Sequence, residues 1–297
     1  MSTMAIVLVL LSAAIHVMWN LYTATSDHPK TFSMLKGIVI IAVTLLALPI
    51  IPLRSITPEV WSFIMVTAPV HAMYIFALST AYETGDISFV YPIARSAPAL
   101  VPVVAFFALG ERISANGVMG ITVIVICVFL IQLRGETGSE LRRIINSLKQ
   151  KDSIWAFITL GAVVIYSVID KAAMVKFGRV TRISPHMHGP IYLMLHASLT
   201  YILYSIYMIL KGEISAIHVN RVEWSRAVIA GLGTMASYSL ILHVMQTEKV
   251  SYIVALRQSS VLFAVLIGWI GMKEPHGRLR LLAAAAMLAG FYLVATA

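Results

Sequence analysis

YPIARSAPALVPVVAFFALGE, Tyr91 to Glu111, is apolar along nearly its whole length yet carries Arg95 together with Pro92, Pro98 and Pro102. A run of this kind can cross a hydrocarbon core of roughly 30 Å as a helix. An arginine near its middle costs about 2.5 kcal/mol or more unless it faces a cavity or a partner. Tyr91, Arg95, Pro98 and Pro102 recur at i, i+4, i+7 and i+11, which lays them along one face of a single helix. Each internal proline deletes a backbone hydrogen bond that neighbours or water must replace. The spacing predicts a kinked, partly hydrated face beside a cation, a candidate substrate wall. The alternative is that Arg95 pairs with an intramembrane acid such as Asp170 and the prolines only shape packing.

The same character extends over the whole chain. Of its 297 residues, 59% are hydrophobic and 12% charged, and mean hydropathy is +0.88. A soluble domain carries roughly a quarter charged residues, so the composition defines a polytopic membrane protein with no room for a separate soluble domain. Charges, prolines and glycines divide it into about ten apolar spans. These fall at 3–25, 32–53, 58–82, 86–109, 114–133, 153–176, 187–210, 224–246, 250–272 and 278–296. The first run lacks a basic start and a small-residue cleavage site and reads as a retained span. Cys127 is the single cysteine and excludes an internal disulfide. A net charge of +9 is dispersed among short loops, which points to anionic lipid headgroups as the partner surface rather than to nucleic acid. Four tryptophans, Trp61, Trp155, Trp224 and Trp269, lie near predicted span ends at headgroup level, and Trp19 does not.

One longer connection, RGETGSELRRIINSLKQKD at 134–152, is basic and amphipathic and suits a helix lying on the membrane surface. It separates a first unit, 1–133, from a second, 153–297. A shift of 163 positions lays Thr84 on Thr247, Ser88 on Ser251, Phe89 on Tyr252, Ser96 on Ser259 and Glu111 on Glu274. With an odd number of spans in each half, the second unit enters the membrane inverted, an architecture that recurs in secondary transporters. The expected fold is therefore an all-α membrane protein of two inverted five-helix repeats around a central cavity. If the termini are cytoplasmic, Lys and Arg are fewer inside than outside, where Lys30, Lys36, Lys211, Arg226 and others fall. The positive-inside rule then favours termini outside.

Few charges are read as lying deep in the hydrocarbon, away from the span ends: Arg95, Arg257 and the adjacent Asp170 and Lys171. In the second unit, SYIVALRQSSVLFAVLIGWIGMKE places Arg257, Ser260, Ala264 and Gly268 on one face, with Gln258 aligned to Arg95 and Arg257 one place off it. Two cavity-facing guanidiniums favour a carboxylate or phosphoryl group, which their planar forks can bind bidentately. His16, Trp19, Asn20 and Thr23 form a polar and aromatic face on the first span. Comparable faces are His71 with Tyr74, Tyr166 with Asp170, and His188, Tyr192 and His196. The histidines form no compact His/Cys/carboxylate cluster in the sequence, so no metal and no cofactor is expected. Glu111 and Glu274 end their spans and read as capping or loop-anchoring groups. Nucleophile-elbow, HExxH and phosphate-loop signatures are missing, so no enzymatic activity is expected.

VYPIARSAPALVPVVAFFALGERIS, ALRQSSVLFAVLIGWIGMKEP and the HVMWN of the first span resemble the EamA family of the drug/metabolite transporter superfamily. The resemblance spans the two units. It implies ten helices in two repeats, a cavity lined by the first four helices of each, flanking fifth and tenth helices, and cytoplasmic termini. It also implies metabolite export or exchange, across a bacterial inner or plasma membrane. Small multidrug exporters, similar to one half of such a protein, rely on a Glu in their first helix. Here that helix offers His16 and Asn20 instead, which disfavours hydrophobic cations.

The expected function is a secondary carrier of a small polar, anionic or zwitterionic metabolite. Arg95 and Arg257 would bind its acidic group, and His16, Trp19, Asn20, His71, Tyr74, Tyr91, Tyr166 and Gln258 would shape the pocket. One alternative is a proton-coupled exporter of toxic or excess metabolites, with Asp170, Lys171 or a histidine as the coupling group. A second, of another class, is a non-transport intramembrane enzyme or partner subunit. Monomer and homodimer both stay open.

Overall fold

A computed structural model of the chain describes residues 1–84, 93–132, 153–213, 221–263 and 278–297. The linker 134–152, Tyr91, Ala264, Gly268, Trp269 and Glu274 lie outside the described residues. Within them the chain is helical, with no strand. The first unit contributes α1 (Thr3–Ala24), α2 (Pro29–Ala47), α3 (Pro58–Thr84), α4 (Ala97–Leu109) and α5 (Ala115–Gln132). The second contributes α6 (Ile154–Val180), α7 (Pro185–Lys211), α8 (Arg221–Met245), α9 (Val250–Leu256) and α10 (Arg278–Ala295).

Six of these, α1, α2, α3, α6, α7 and α8, are long and apolar enough to cross a membrane. Their outward faces fit that environment. On α1, Met4, Val7, Leu11 and Met18 are exposed at helical spacing, while Val9, Ala13 and Val17 on the opposite face are buried. Phe107 on α4 is 81% exposed. Apolar faces of this extent are solvated by lipid and not by water.

The two units pack through each other rather than side by side. α1 lies on α8, α3 on both α6 and α7, α2 on α7 and α8, α4 on α6 and α9, and α5 on α10. The last of these crossings is close because two glycines face each other: a Cβ on Gly120 would come within 2.8 Å of the Gly290 carbonyl. At one end of the bundle the Met1 ammonium donates to the Ala295 carbonyl (3.0 Å). At the other, Lys30 bridges Glu83 (3.0 Å) and Glu213 (2.7 Å), tying the start of α2 to the ends of α3 and α7.

Arg95 does not sit within one continuous helix, as the proline spacing predicts. Ile93 and Ala94 are helical, Arg95 is a turn, and α4 starts at Ala97 after Ser96. Pro98 therefore occupies the first turn of α4, where the backbone N–H has no intrahelical partner to lose. Pro102 lies inside α4. Arg257 occupies a matching break: α9 ends at Leu256, Arg257 and Gln258 form a turn, and the chain is helical again at 259–263. Around both arginines the ladder tightens to i→i−3 bonds, Ser96 N to Ile93 O (3.0 Å) and Gln258 N to Ala255 O (3.1 Å).

Candidate functional site

The breaks deliver both arginines to the middle of the bundle. Two adjoining chambers open there and share His16, Asn20, Tyr74, Leu78, Tyr166 and Arg257 on their walls. Lining residues come from α1–α4 and α6–α9 with their flanking turns, and none of those described comes from α5 or α10. The polar face of α1 points inward as its spacing predicts: His16, Trp19, Asn20 and Thr23 all line the first chamber. His71, Tyr74, Tyr166 and Arg257 join them there. Arg95 and Gln258 line the second.

His16 is the joint between the two arginines. Arg95 Nη2 donates to His16 Nε2 (3.2 Å), and Arg95 Nη1 donates to Ser260 Oγ (2.9 Å). Arg257 Nη2 lies 3.5 Å from His16 Nδ1. A guanidinium only donates, and a neutral imidazole accepts at one nitrogen alone. With Nε2 accepting from Arg95, the proton is on Nδ1 and faces an N–H of Arg257. That pair of donors is left for an acceptor to satisfy. The Arg257 guanidinium also lies over the Tyr238 ring (5.6 Å), and no described carboxylate forms an ion pair with it.

Lys36 belongs to the same site, whereas hydropathy counts it as a loop charge. It lies two turns into α2, is 4% exposed, and holds Nζ over the Trp19 ring (4.5 Å) and near the Tyr201 ring (5.8 Å). No described group accepts a hydrogen bond from it. The signal available in PKTFSMLKGIV is a lysine seven residues beyond the first-turn proline, too deep in the helix to be loop. Trp19, the tryptophan away from span ends, is fixed by Nε1–H to Ser237 Oγ (3.2 Å) on α8 and stands edge-on to His16. Lys36, Arg95 and Arg257 thus serve cavity walls on which no described carboxylate stands.

Asp170 is not the partner of Arg95. It is fully buried behind the wall, and four donors saturate it. Thr67 Oγ1 (2.8 Å) and the Tyr192 hydroxyl (2.9 Å) donate to Oδ1, and His71 Nε2 (3.1 Å) and the Tyr238 hydroxyl (2.5 Å) donate to Oδ2. His71 in turn stacks on Tyr166 (4.0 Å) and lies against His196 (4.9 Å). His71, Asp170 and His196 therefore do form a compact cluster, with candidate ligand atoms all within 4.8 Å of one another, which the spacing of the histidines in the sequence does not reveal. Each Asp170 oxygen already accepts two hydrogen bonds, so the cluster is a hydrogen-bond network as it stands.

Three candidates lie elsewhere. Lys171 Nζ donates to the carbonyls of Met245 (2.7 Å) and Glu248 (2.8 Å), closing the end of α8 outside the cavity. His188 bonds Gln246 and the Ile183 carbonyl. Glu111 takes the anchoring role expected of it: after the left-handed Gly110 (φ 67°), its carboxylate accepts from Val250 N (2.8 Å), Ser251 N (3.4 Å) and Ser251 Oγ (2.8 Å), capping α9 of the other unit.

No family model matches the chain, and no curated protein matches it. Its fold does recur: 28 solved chains match. One of them, described only as "Crystal structure of protein", aligns at a TM-score of 0.74 and 15% identity over 98% of this chain and 97% of its own. That likeness concerns the fold alone.

Proposed function

We propose that the chain is a secondary transporter that carries a small anionic or zwitterionic metabolite across the membrane by alternating access, as its resemblance to EamA transporters implies. The carrying observation is the convergence of two guanidiniums, Arg95 and Arg257, on a His16 ring that when neutral accepts from only one of them, in a cavity that also holds the buried Lys36 and no described carboxylate. An anion there accepts from both and offsets the buried charge of Lys36, which among the described residues has only the Trp19 and Tyr201 rings opposite it. Trp19, Tyr74 and Tyr166 give the rest of the solute a flat, amphipathic wall.

The packing pattern supports a two-fold repeat, which an odd number of spans in each half makes an inverted one. Exchanging α1–α5 with α6–α10 in order turns α1 on α8 into α6 on α3, α3 on α7 into α8 on α2, and α4 on α6 into α9 on α1, all of which occur. The contacts α2 on α7, α4 on α9 and α5 on α10 map onto themselves. Two like units joined in this way can rock against each other around a central site. A thermal-shift screen of the purified protein against metabolites tests the reading, because a ligand bound only by the folded form raises apparent stability. Anionic and zwitterionic solutes are expected to stabilise the wild type, and Arg257→Gln to abolish the effect. Stabilisation by organic cations instead contradicts the proposal.

A further inference from the structure

The Asp170 network fixes the state of His71. An ionised carboxylate only accepts, so each of its four neighbours must donate, and His71 therefore carries its proton on Nε2. His71 Nδ1 is left as a lone pair, makes no hydrogen bond to any described residue, and belongs to a ring on the cavity wall. A proton arriving from the cavity lands on Nδ1 and creates an imidazolium whose other N–H already rests on a buried carboxylate. We propose that His71 is the proton carrier of this protein, taking up one proton together with the anionic solute, with Asp170 as the positioning group that stabilises the imidazolium. The proposal rests on the reading of the cavity as an anion site.

The surrounding charges set the direction of coupling. Tyr166 of α6 and Tyr238 of α8 meet the His71 ring at 4.0 and 5.7 Å, both as neutral phenols. His196 of α7 lies at 4.9 Å, and its buried ring nitrogens have no hydrogen-bond partner among the described residues. Two imidazoliums that close repel, so His71 and His196 hold at most one added proton between them. From α2 and the break after α9, Lys36 and Arg257 face the same cavity, and His16 of α1 adds no negative charge. With the cavity empty, these cations oppose a further positive charge on His71. A bound anion reverses that opposition, so anion and proton each favour the other's binding, and by linkage equally. Flux in one direction then carries both.

Calorimetry on the full chain in lipid nanodiscs tests this with sulfate and with glutamate, whose carboxyls titrate well below neutrality and whose amine, beside its own carboxylate in the free amino acid, titrates well above it. Proton uptake is read from the dependence of the heat on buffer ionisation enthalpy. The expected uptake lies between zero and one proton per anion and vanishes in His71→Gln. Affinity is expected to weaken as pH rises, by at most about tenfold per pH unit, as linkage to one proton requires. Binding without uptake, or uptake that persists in His71→Gln, overturns the coupling. Failure of both anions to bind overturns the anion-site reading instead. Since a substituted His71 can fail to fold, the tautomer is also read in wild type by ¹⁵N-histidine NMR, with the ring assigned through its contacts to Tyr166. Protonated Nε2 and unprotonated Nδ1 at alkaline pH are expected, and the reverse overturns the proposal.

Discussion

Lys36 has the clearest energetic signature of a residue kept for binding. A buried ammonium with, among the described residues, only the rings of Trp19 and Tyr201 opposite it is poorly compensated, and an apolar side chain of similar volume removes its desolvation cost. Lys36→Met is accordingly expected to raise the melting temperature of the ligand-free protein while removing its stabilisation by anions. A lower melting temperature shows instead that Lys36 holds the fold. The neighbouring Arg257 differs, because its guanidinium is also stacked on Tyr238. Arg257→Lys keeps the charge but loses the planar fork and is expected to weaken anion binding at least about tenfold, consistent with the strength of charge-assisted bidentate bonds. Equilibrium dialysis with a labelled anion measures it.

Helices meet the sequence expectations where hydropathy decides and depart from them where tertiary contacts do. Apolar length alone locates α1–α3 and α6–α8, and helical periodicity correctly turns His16, Trp19, Asn20 and Thr23 to the interior. The break at Arg95 is also present locally, as Ser96-Ala97-Pro98, an N-cap residue with a first-turn proline. Counting the prolines as one helical face overrides that local signal. What no local pattern holds is the partnership across units: His16 meets Arg95 and Arg257 from 79 and 241 positions away. Glu111 is a testable case of such partnership. Its removal in Glu111→Ala leaves Val250 N, Ser251 N and Ser251 Oγ without their acceptor. The expected cost is about 1–3 kcal/mol of stability with little change in anion affinity, read from thermal unfolding and dialysis together. At the α5–α10 crossing, Gly120→Val places methyl groups against the Gly290 backbone. That overpacking is expected to lower the yield of monodisperse protein in size-exclusion chromatography, since such clashes cost about 1–3 kcal/mol.

Across the whole molecule the cavity lies where the two units interlock, not within either one. α1 and α2 of the first unit reach α8 of the second, α3 reaches α6 and α7, and the wall changes unit from helix to helix. Under the proposed alternating-access reading, this junction between the two halves is where their relative motion would change access to the site. Charge is distributed to match: the described walls present cations, and the one buried carboxylate beside them, Asp170, is held behind the wall by its four donors. The most direct test is solute counterflow in proteoliposomes containing wild type or Arg257→Gln, preloaded with an anion found to stabilise the wild type. Wild-type vesicles are expected to accumulate the labelled anion transiently above equilibrium, and Arg257→Gln vesicles to behave as empty liposomes. Counterflow that survives Arg257→Gln undiminished, or that is absent in the wild type for every stabilising anion, contradicts the account.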